Sequence, residues 1–497
     1  MSDQPSPQQL GRKTITGTFW VYTAVYSGKV MVFLSTIVLA RLLEKEDFGI
    51  AGFALVVIAF LEVFYDLGIG QALIVHPNDR LTSSTAFWLG LGFSAILFGA
   101  TWLAAPWIGA LFNDPRAIPV TRVLAFTFPI SALGNVHNVL MSKELRFRGK
   151  FIPEFARALS KGLISILLAF LGLGAWSLII GQLASTAVAV IVFWIVYPWR
   201  PSLVFSLERA RQVLGFGLNI VAVNSLSVIQ GSAPSFLIGR YLGAGMLGVY
   251  QLAFRVPDLL ISQFCSILSR VIFPVYATLK EDAATLRSAF LTATRYISLI
   301  TVPIGLGIFL IAEPFVLTLF SDRWREAIPA VRAIGLYSLL FSLSYAAGDV
   351  YKATGRPHIL TRLTLVEVAI ELPVLTWATL TFRSVTAVAW TLTLLTAGAT
   401  LLELGVAAWA LKSRPLTILK ALLPSFSAGG IMALAVSALV PLVADISALA
   451  QLTLCVVAGA TAYLSALLIL QRPMVLETIA MLRAILSKRL NRSVENP

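Results

Sequence analysis

A chain of 497 residues that is 58% hydrophobic and only 12% charged, with mean hydropathy +0.85, has about half the charged fraction of a soluble domain. That excludes an ordinary soluble enzyme and predicts an all-α, polytopic membrane protein. The net charge of +14 is read as basic loops on one membrane face together with fixed charge for an anionic ligand, so nucleic acid is not expected as a partner.

Apolar runs of about 20 residues, broken by polar, Gly or Pro punctuation, mark about 14 transmembrane helices. They are expected at 16–40, 48–72, 82–111, 117–140, 152–172, 174–197, 212–239, 246–277, 287–319, 327–351, 358–381, 384–411, 416–441 and 447–470. The first follows Arg12 and Lys13 and runs past Leu39 without a clear cleavage site, so it reads as a retained helix. Lys29 lies about midway along it. The second carries Glu62 and Asp66, spaced i,i+4. The fifth and sixth are separated only by Gly172–Gly174, and the fifth carries Glu154, Arg157 and Lys161. Asn219, Asn224 and Gln230 lie in the seventh, where cavity lining and interhelical hydrogen bonding are both open readings. Leu247–Tyr276 is membrane-length yet holds Arg255, Asp258 and Arg270, with Pro257 expected to remove a backbone hydrogen bond beside the charges. The ninth carries Arg295 near its inner end, and the eleventh Glu367 and Glu371. Asp349 and Glu403 fall nearer the expected inner ends, where solvation is the plainer account.

The even helix number puts both termini on one side. The N-terminus, the alternate loops on that side, among them Ser142–Lys150, Arg200–Arg211, Lys352–Arg362 and Lys412–Lys420, and the tail together hold most of the 38 Lys/Arg. The positive-inside rule then places both ends in the cytoplasm. Pro473–Arg492 has apolar residues at helical spacing and is expected to lie along the inner membrane face.

The chain resembles itself at an offset of 199 residues: Arg41-Leu42-Leu43, Gly49 and Ala54 match Arg240-Tyr241-Leu242, Gly248 and Ala253. This predicts a lobe at 1–199 and a second at 200–411, six helices each, followed by two helices at 412–471 and the tail 472–497. Transporters with such internal repeats place substrate between the lobes.

Ser35–Ile74, the loop Lys143–Lys150 (KELRFRGK) and Phe236–Leu260 resemble the polysaccharide transporter family, and within it the lipid-linked oligosaccharide flippases of the colanic acid and exopolysaccharide branch. The resemblance extends from the first span to the fourteenth. It implies the fold of the multidrug/oligosaccharidyl-lipid/polysaccharide superfamily, with two six-helix lobes around a central cavity. It also implies a cargo, undecaprenyl-pyrophosphate oligosaccharide moved from the inner to the outer leaflet of a bacterial inner membrane for exopolysaccharide, capsule or O-antigen synthesis. Further implied are H+ or Na+ as coupling ion, membrane lipids as surroundings, a polysaccharide polymerase and co-polymerase as partners, no cofactor and no enzymatic activity.

The residues are compatible with such a cargo. An ionised group at a helix centre costs at least roughly 2.5–3.5 kcal/mol in lipid, so it faces a cavity, a bundle interior or another charge. Lys29, Arg157, Lys161, Arg255, Arg270 and Arg295 are the candidate pyrophosphate-binding residues. Arg157 and Lys161 share a helix face. Arg157 with Glu154, and Arg255 with Asp258, are equally readable as internal ion pairs, whereas Lys29 has no acidic residue within four positions and is the leading candidate. Glu62, Asp66, Asp258, Glu367 and Glu371 are the ion-coupling candidates, since two carboxylates close together in low dielectric do not both stay ionised. The alternative for the acidic pairs is an arginine from a neighbouring helix. Trp20, Tyr22, Tyr26, Trp176 and Tyr250 offer sugar stacking, with interface anchoring and packing the commoner uses.

Other signals are negative. His76, His137 and His358 show no metal-ligand spacing, Cys265 and Cys455 form no framework, and no Walker A motif occurs. A carrier of another amphiphile, such as a peptidoglycan lipid precursor or a drug, is the alternative, though the intramembrane cations would repel a cationic drug. An integral-membrane polymerase is less expected because the loops between spans are short.

Overall fold

The computed structural model describes residues 27–66, 69–70, 73, 79–144 and 146–472, with side chains throughout except at 64–66, 147–148 and 213–224. Trp20, Tyr22, Tyr26, His76 and the segment 473–497 lie outside the described residues, as do the side chains of Asp66, Asn219 and Asn224. Every regular element among the described residues is helical: α1 (27–42), α2 (Lys45–Asp66), α3 (Arg80–Phe112), α4 (Ala117–Ala125), α5 (Thr127–Lys143), α6 (Phe147–Phe170), α7 (Ala175–Val196), α8 (Leu207–Leu242), α9 (Ala244–Pro257), α10 (Gln263–Leu279), α11 (Ala283–Leu310), α12 (Ala312–Leu319), α13 (Ile328–Ala353), α14 (Pro357–Phe382), α15 (Val385–Ala410), α16 (Pro415–Leu442) and α17 (Ala448–Leu470). Among the described residues, ten stretches are long and apolar enough to cross a membrane, by length and composition. Helices also lie on the other four expected spans, in α1, α2, α6 and α8.

Two expected spans are interrupted, each just ahead of a proline. Pro129 has no N–H for the carbonyl of Ala125, and α4 ends at Ala125; Pro314 stands in the same relation to Leu310, where α11 ends. After Pro257 the chain forms a wide π-helical turn, Asp258–Ser262, before α10 continues. Such turns relieve a disrupted helical ladder and often mark functional sites. Gly172 and Gly174 adopt positive φ, 79° and 53°, and the chain reverses there between α6 and α7, at the predicted break.

The helices form two compact units. The first comprises Met1–Leu259, Leu319–Ala330 and Thr361–Leu392. Its core includes Val63, Phe87, Val136, Met141 and Phe193, and α6 packs along α7 while α2 crosses α9. The second comprises Leu260–Thr318, Val331–Leu360 and Thr393–Pro497. Here α16 packs on α17 and α11 around Ala428, Met432, Val436 and Tyr463. Polar contacts tie its helices: Ser298 to Ser425 at 2.9 Å, Ser342 to Thr301 at 2.8 Å, and the Tyr463 hydroxyl to the Leu299 carbonyl at 2.9 Å. Each is worth about 0.6 kcal/mol in a membrane. Large apolar side chains stay exposed on the spans, Leu103 at 73% and Leu434 at 74%, as a lipid-facing surface requires. Asp349 departs from expectation: it is 2% exposed and lies 3.4 Å from Lys352, an ion pair in place of solvation.

Candidate functional site

Small residues bring the first unit's cations inward. In α1, α6 and α7 they allow close approach: a Cβ on Gly28 would sit 3.4 Å from the Ala158 Cβ, one on Gly162 would overlap the Ser35 hydroxyl, and one on Gly181 would overlap that of Ser165. Beside this seam lies a cavity of about 50 Å³ lined by Lys161 from α6, Arg255 from α9, Gln182, Gln251, Ser35 and Ser165, with an apolar wall that includes Phe48, Ala51 and Leu55. Two cations, two amides and hydroxyls around one void are complementary to an anion. Ser35 and Thr36 donate to the carbonyls of Met31 and Val32, leaving lone pairs only. Ser165 is 1% exposed, and its hydroxyl has no hydrogen-bond partner among the described residues. The volume suits a few waters or one small anionic group.

Lys161 lies within electrostatic reach of Arg255, Arg157 and Lys29, so four of the six candidate cations gather in the first unit. Arg157, one turn before Lys161, faces a second and more open pocket of about 320 Å³ with Glu62, Glu154, Asn135, Asn138 and Thr186. Its guanidinium pairs with Glu154 at 2.8 Å, which is the ion-pair reading of that residue. Glu62, in turn, is within reach of Arg157, the arginine from a neighbouring helix that its alternative reading asked for. Arg255 interacts with Asp258. Lys29, the leading candidate from sequence, is exposed on α1 and does not line the 50 Å³ cavity. Arg270 and Arg295 belong to the second unit, the former exposed on α10 and the latter half-buried on α11.

The carboxylates of α14 meet an amide. Gln230 of α8 donates from Nε2 to Glu367 Oε2 at 3.1 Å and to Glu371 Oε2 at 3.5 Å, and Glu371 is 9% exposed. Gln230 therefore makes the interhelical bond that was one of its two readings. Tyr250 is buried and packs on Phe254 at 5.3 Å, a packing role. His137 is buried, with Nε2 3.2 Å from the Trp199 carbonyl. Sequence reasoning missed Gln182, Gln251 and Ser165. Gln182 and Gln251 carried a usable signal, an amide within an apolar span; a lone serine carries none, because serine commonly bonds its own helix.

Helices of this length and hydropathy, with charged groups held inside, define a multi-pass membrane protein of the transporter type. Residues 38–329 match the family model described as polysaccharide biosynthesis protein, more than half of the chain, and the protein belongs to that family. It is 28% identical over 369 residues to lipopolysaccharide biosynthesis protein WzxC of Escherichia coli (strain K12), covering 73% of this chain and 75% of that protein. It is 27% identical to teichuronic acid biosynthesis protein TuaB of Bacillus subtilis (strain 168), covering 60% of this chain and 63% of TuaB. It is also 27% identical to succinoglycan biosynthesis transport protein ExoT of Rhizobium meliloti (strain 1021), covering 61% of this chain and 62% of ExoT. In fold it is similar to the lipid II flippase MurJ in an inward closed conformation, with TM-score 0.72 at 14% identity over 92% of this chain and 99% of MurJ. An inward-facing multidrug resistance MATE family transporter of the MOP superfamily gives TM-score 0.64 at 18% identity over 77% of this chain and 94% of that protein.

Proposed function

We propose that this protein is a flippase for undecaprenyl-pyrophosphate-linked oligosaccharides, carrying them from the cytoplasmic to the periplasmic leaflet of a bacterial inner membrane by alternating access. The observation that carries the proposal is the pairing of Lys161 and Arg255 across a cavity with hydroxyl and amide donors. Fixed cations there offset the desolvation of a pyrophosphate that hydrocarbon would reject. The names of WzxC, TuaB and ExoT, all polysaccharide-pathway proteins, support the cargo class. In the same proposal the loops rich in Lys/Arg place both termini in the cytoplasm. The Glu367–Glu371–Gln230 group supports H+ or Na+ coupling, since two adjacent carboxylates favour sharing a proton or cation.

The test is transfer of such a lipid in proteoliposomes, with and without an imposed proton or sodium gradient. Transfer that rises with one gradient and falls in Lys161→Gln and Arg255→Gln supports the reading. Transfer of a peptidoglycan lipid precursor instead moves the cargo to that alternative, which the fold shared with MurJ favours.

A further inference from the structure

The two Arg-x-Leu…Gly segments, alike at an offset of 199 residues, are unexplained by cargo binding. In the structure each completes the other. A Cβ on Gly49 of α2 would overlap the carbonyl oxygen of Ala244, and a Cβ on Gly248 of α9 would overlap that of Lys45. Backbone thus meets backbone at both repeat glycines. The arginines are exchanged in the same way. Arg41 Nε donates to the carbonyl of Leu319 at 3.1 Å, the last residue of α12 and the end of the third span of the second half. Arg240 Nη1 donates to the carbonyl of Ala110 at 2.9 Å, in the last turn of α3, the third span of the first half. Each cation therefore satisfies the negative carboxyl end of a helix from the opposite half.

Aromatic rings back both contacts. Phe53 packs on Phe112 at 4.6 Å. Phe48 packs on Trp324 at 5.3 Å, and the Trp324 indole donates to the Ala40 carbonyl at 2.7 Å. Lys45 pairs with Glu326 at 2.8 Å. Phe48 also lines the 50 Å³ cavity, which is too small for a lipid-linked oligosaccharide.

We infer that these segments form a reciprocal latch, with Arg41 and Arg240 as positioning residues that hold one end of the cavity shut until cargo is to leave. The role in transport rests on the flippase reading, and on the orientation proposed above the latch is at the periplasmic end. The latch contact itself rests on neither.

The test is labelling of Ala51→Cys by a membrane-impermeant thiol reagent, added to either side of sealed vesicles holding the full chain. Ala51 is 4% exposed and lines the cavity, so its labelling rate follows the open population. Losing one charge-assisted hydrogen bond is expected to raise that rate about tenfold in Arg41→Ala and in Arg240→Ala, and further in the double variant, with Arg41→Lys retaining part of the protection. Gly49→Leu, which forces the helices apart without touching the arginines, is expected to raise it as well. Unchanged rates in the double variant at normal membrane abundance would overturn the latch. So would an equal rise from both sides, which signals a loosened fold. A rise confined to the side opposite the expected one supports the latch and overturns the proposed orientation, so the two failures are distinct.

Discussion

Lys161 and Arg255 differ in what surrounds them, and that difference sets their expected effects. Arg255 interacts with Asp258, whereas the charged groups that act on Lys161 among the described residues are all cations. Lys161→Gln is therefore expected to reduce transfer of a lipid-linked pyrophosphate at least about tenfold, the worth of one charge-assisted contact, without loss of protein from the membrane. Arg255→Gln is expected to reduce transfer and also lower thermal stability, because it leaves Asp258 without that cation. Flipping assays paired with thermal unfolding of the same preparations separate the two. Outside the membrane, Asp282 caps α11 through the Thr285 hydroxyl and the N–H groups of Thr285 and Ala284, and these bonds hold its carboxyl below the usual carboxylate range. A lowered folded pKa contributes stability that is present above the ordinary value of about 3.9 and lost as pH falls through the folded value. Asp282→Asn is expected to flatten that acid limb of the stability profile while keeping a competent cap, with Asp282→Ala lowering Tm at neutral pH as well.

At the scale of elements, close helix approach depends on which glycine of a span meets a neighbour. Gly305 and Gly307 lie two residues apart on α11, yet a Cβ on Gly305 would come 2.6 Å from the Leu339 Cβ and 2.9 Å from the Gly335 carbonyl, while nothing lies within 4 Å of one on Gly307. Gly305→Ala is expected to destabilise by about 1–3 kcal/mol through overpacking and Gly307→Ala to be tolerated, as thermal unfolding in detergent would show. Hydropathy cannot tell these two apart. It does locate the helices, since each expected span is helical where described, but the interruptions at Phe126 and Ile311 were not legible: prolines such as Pro106, Pro153, Pro303 and Pro373 sit inside helices that continue past them, so a proline alone marks no break. The apolar run that continues across each interruption makes two helices look like one span.

For the whole molecule, the proposed ion coupling is what a single substitution tests most directly. Glu371→Gln preserves an acceptor for Gln230 but cannot take up a proton or pair with a cation. It is expected to leave cargo transfer down its own gradient intact while abolishing stimulation by the proton or sodium gradient; gradient-stimulated transfer at the parent rate in this variant would remove the Glu367–Glu371 group from coupling. The carboxylate pair was visible along one helix, but its amide comes from α8 and the carboxylates from α14, so no local spacing announced that partner.

The sequence by itself determined the class of protein, the helical spans, the repeat and the short set of ionisable residues placed in lipid, because transfer free energy depends on composition over about 20 residues and leaves a local record. It also nominated Lys161 and Arg255. Only the tertiary structure decided that these two share a cavity, that Lys29 lies exposed while Arg157 pairs with Glu154, and that Gln182, Gln251 and Ser165 join the site. The physical reason is distance: Coulomb and hydrogen-bond energies depend on separations of a few ångström between helices remote in sequence, and a pattern along one helix does not contain its neighbours. The exchanged arginines show the same limit, for the motif was visible twice in the chain but its partners, the ends of α12 and α3, were not.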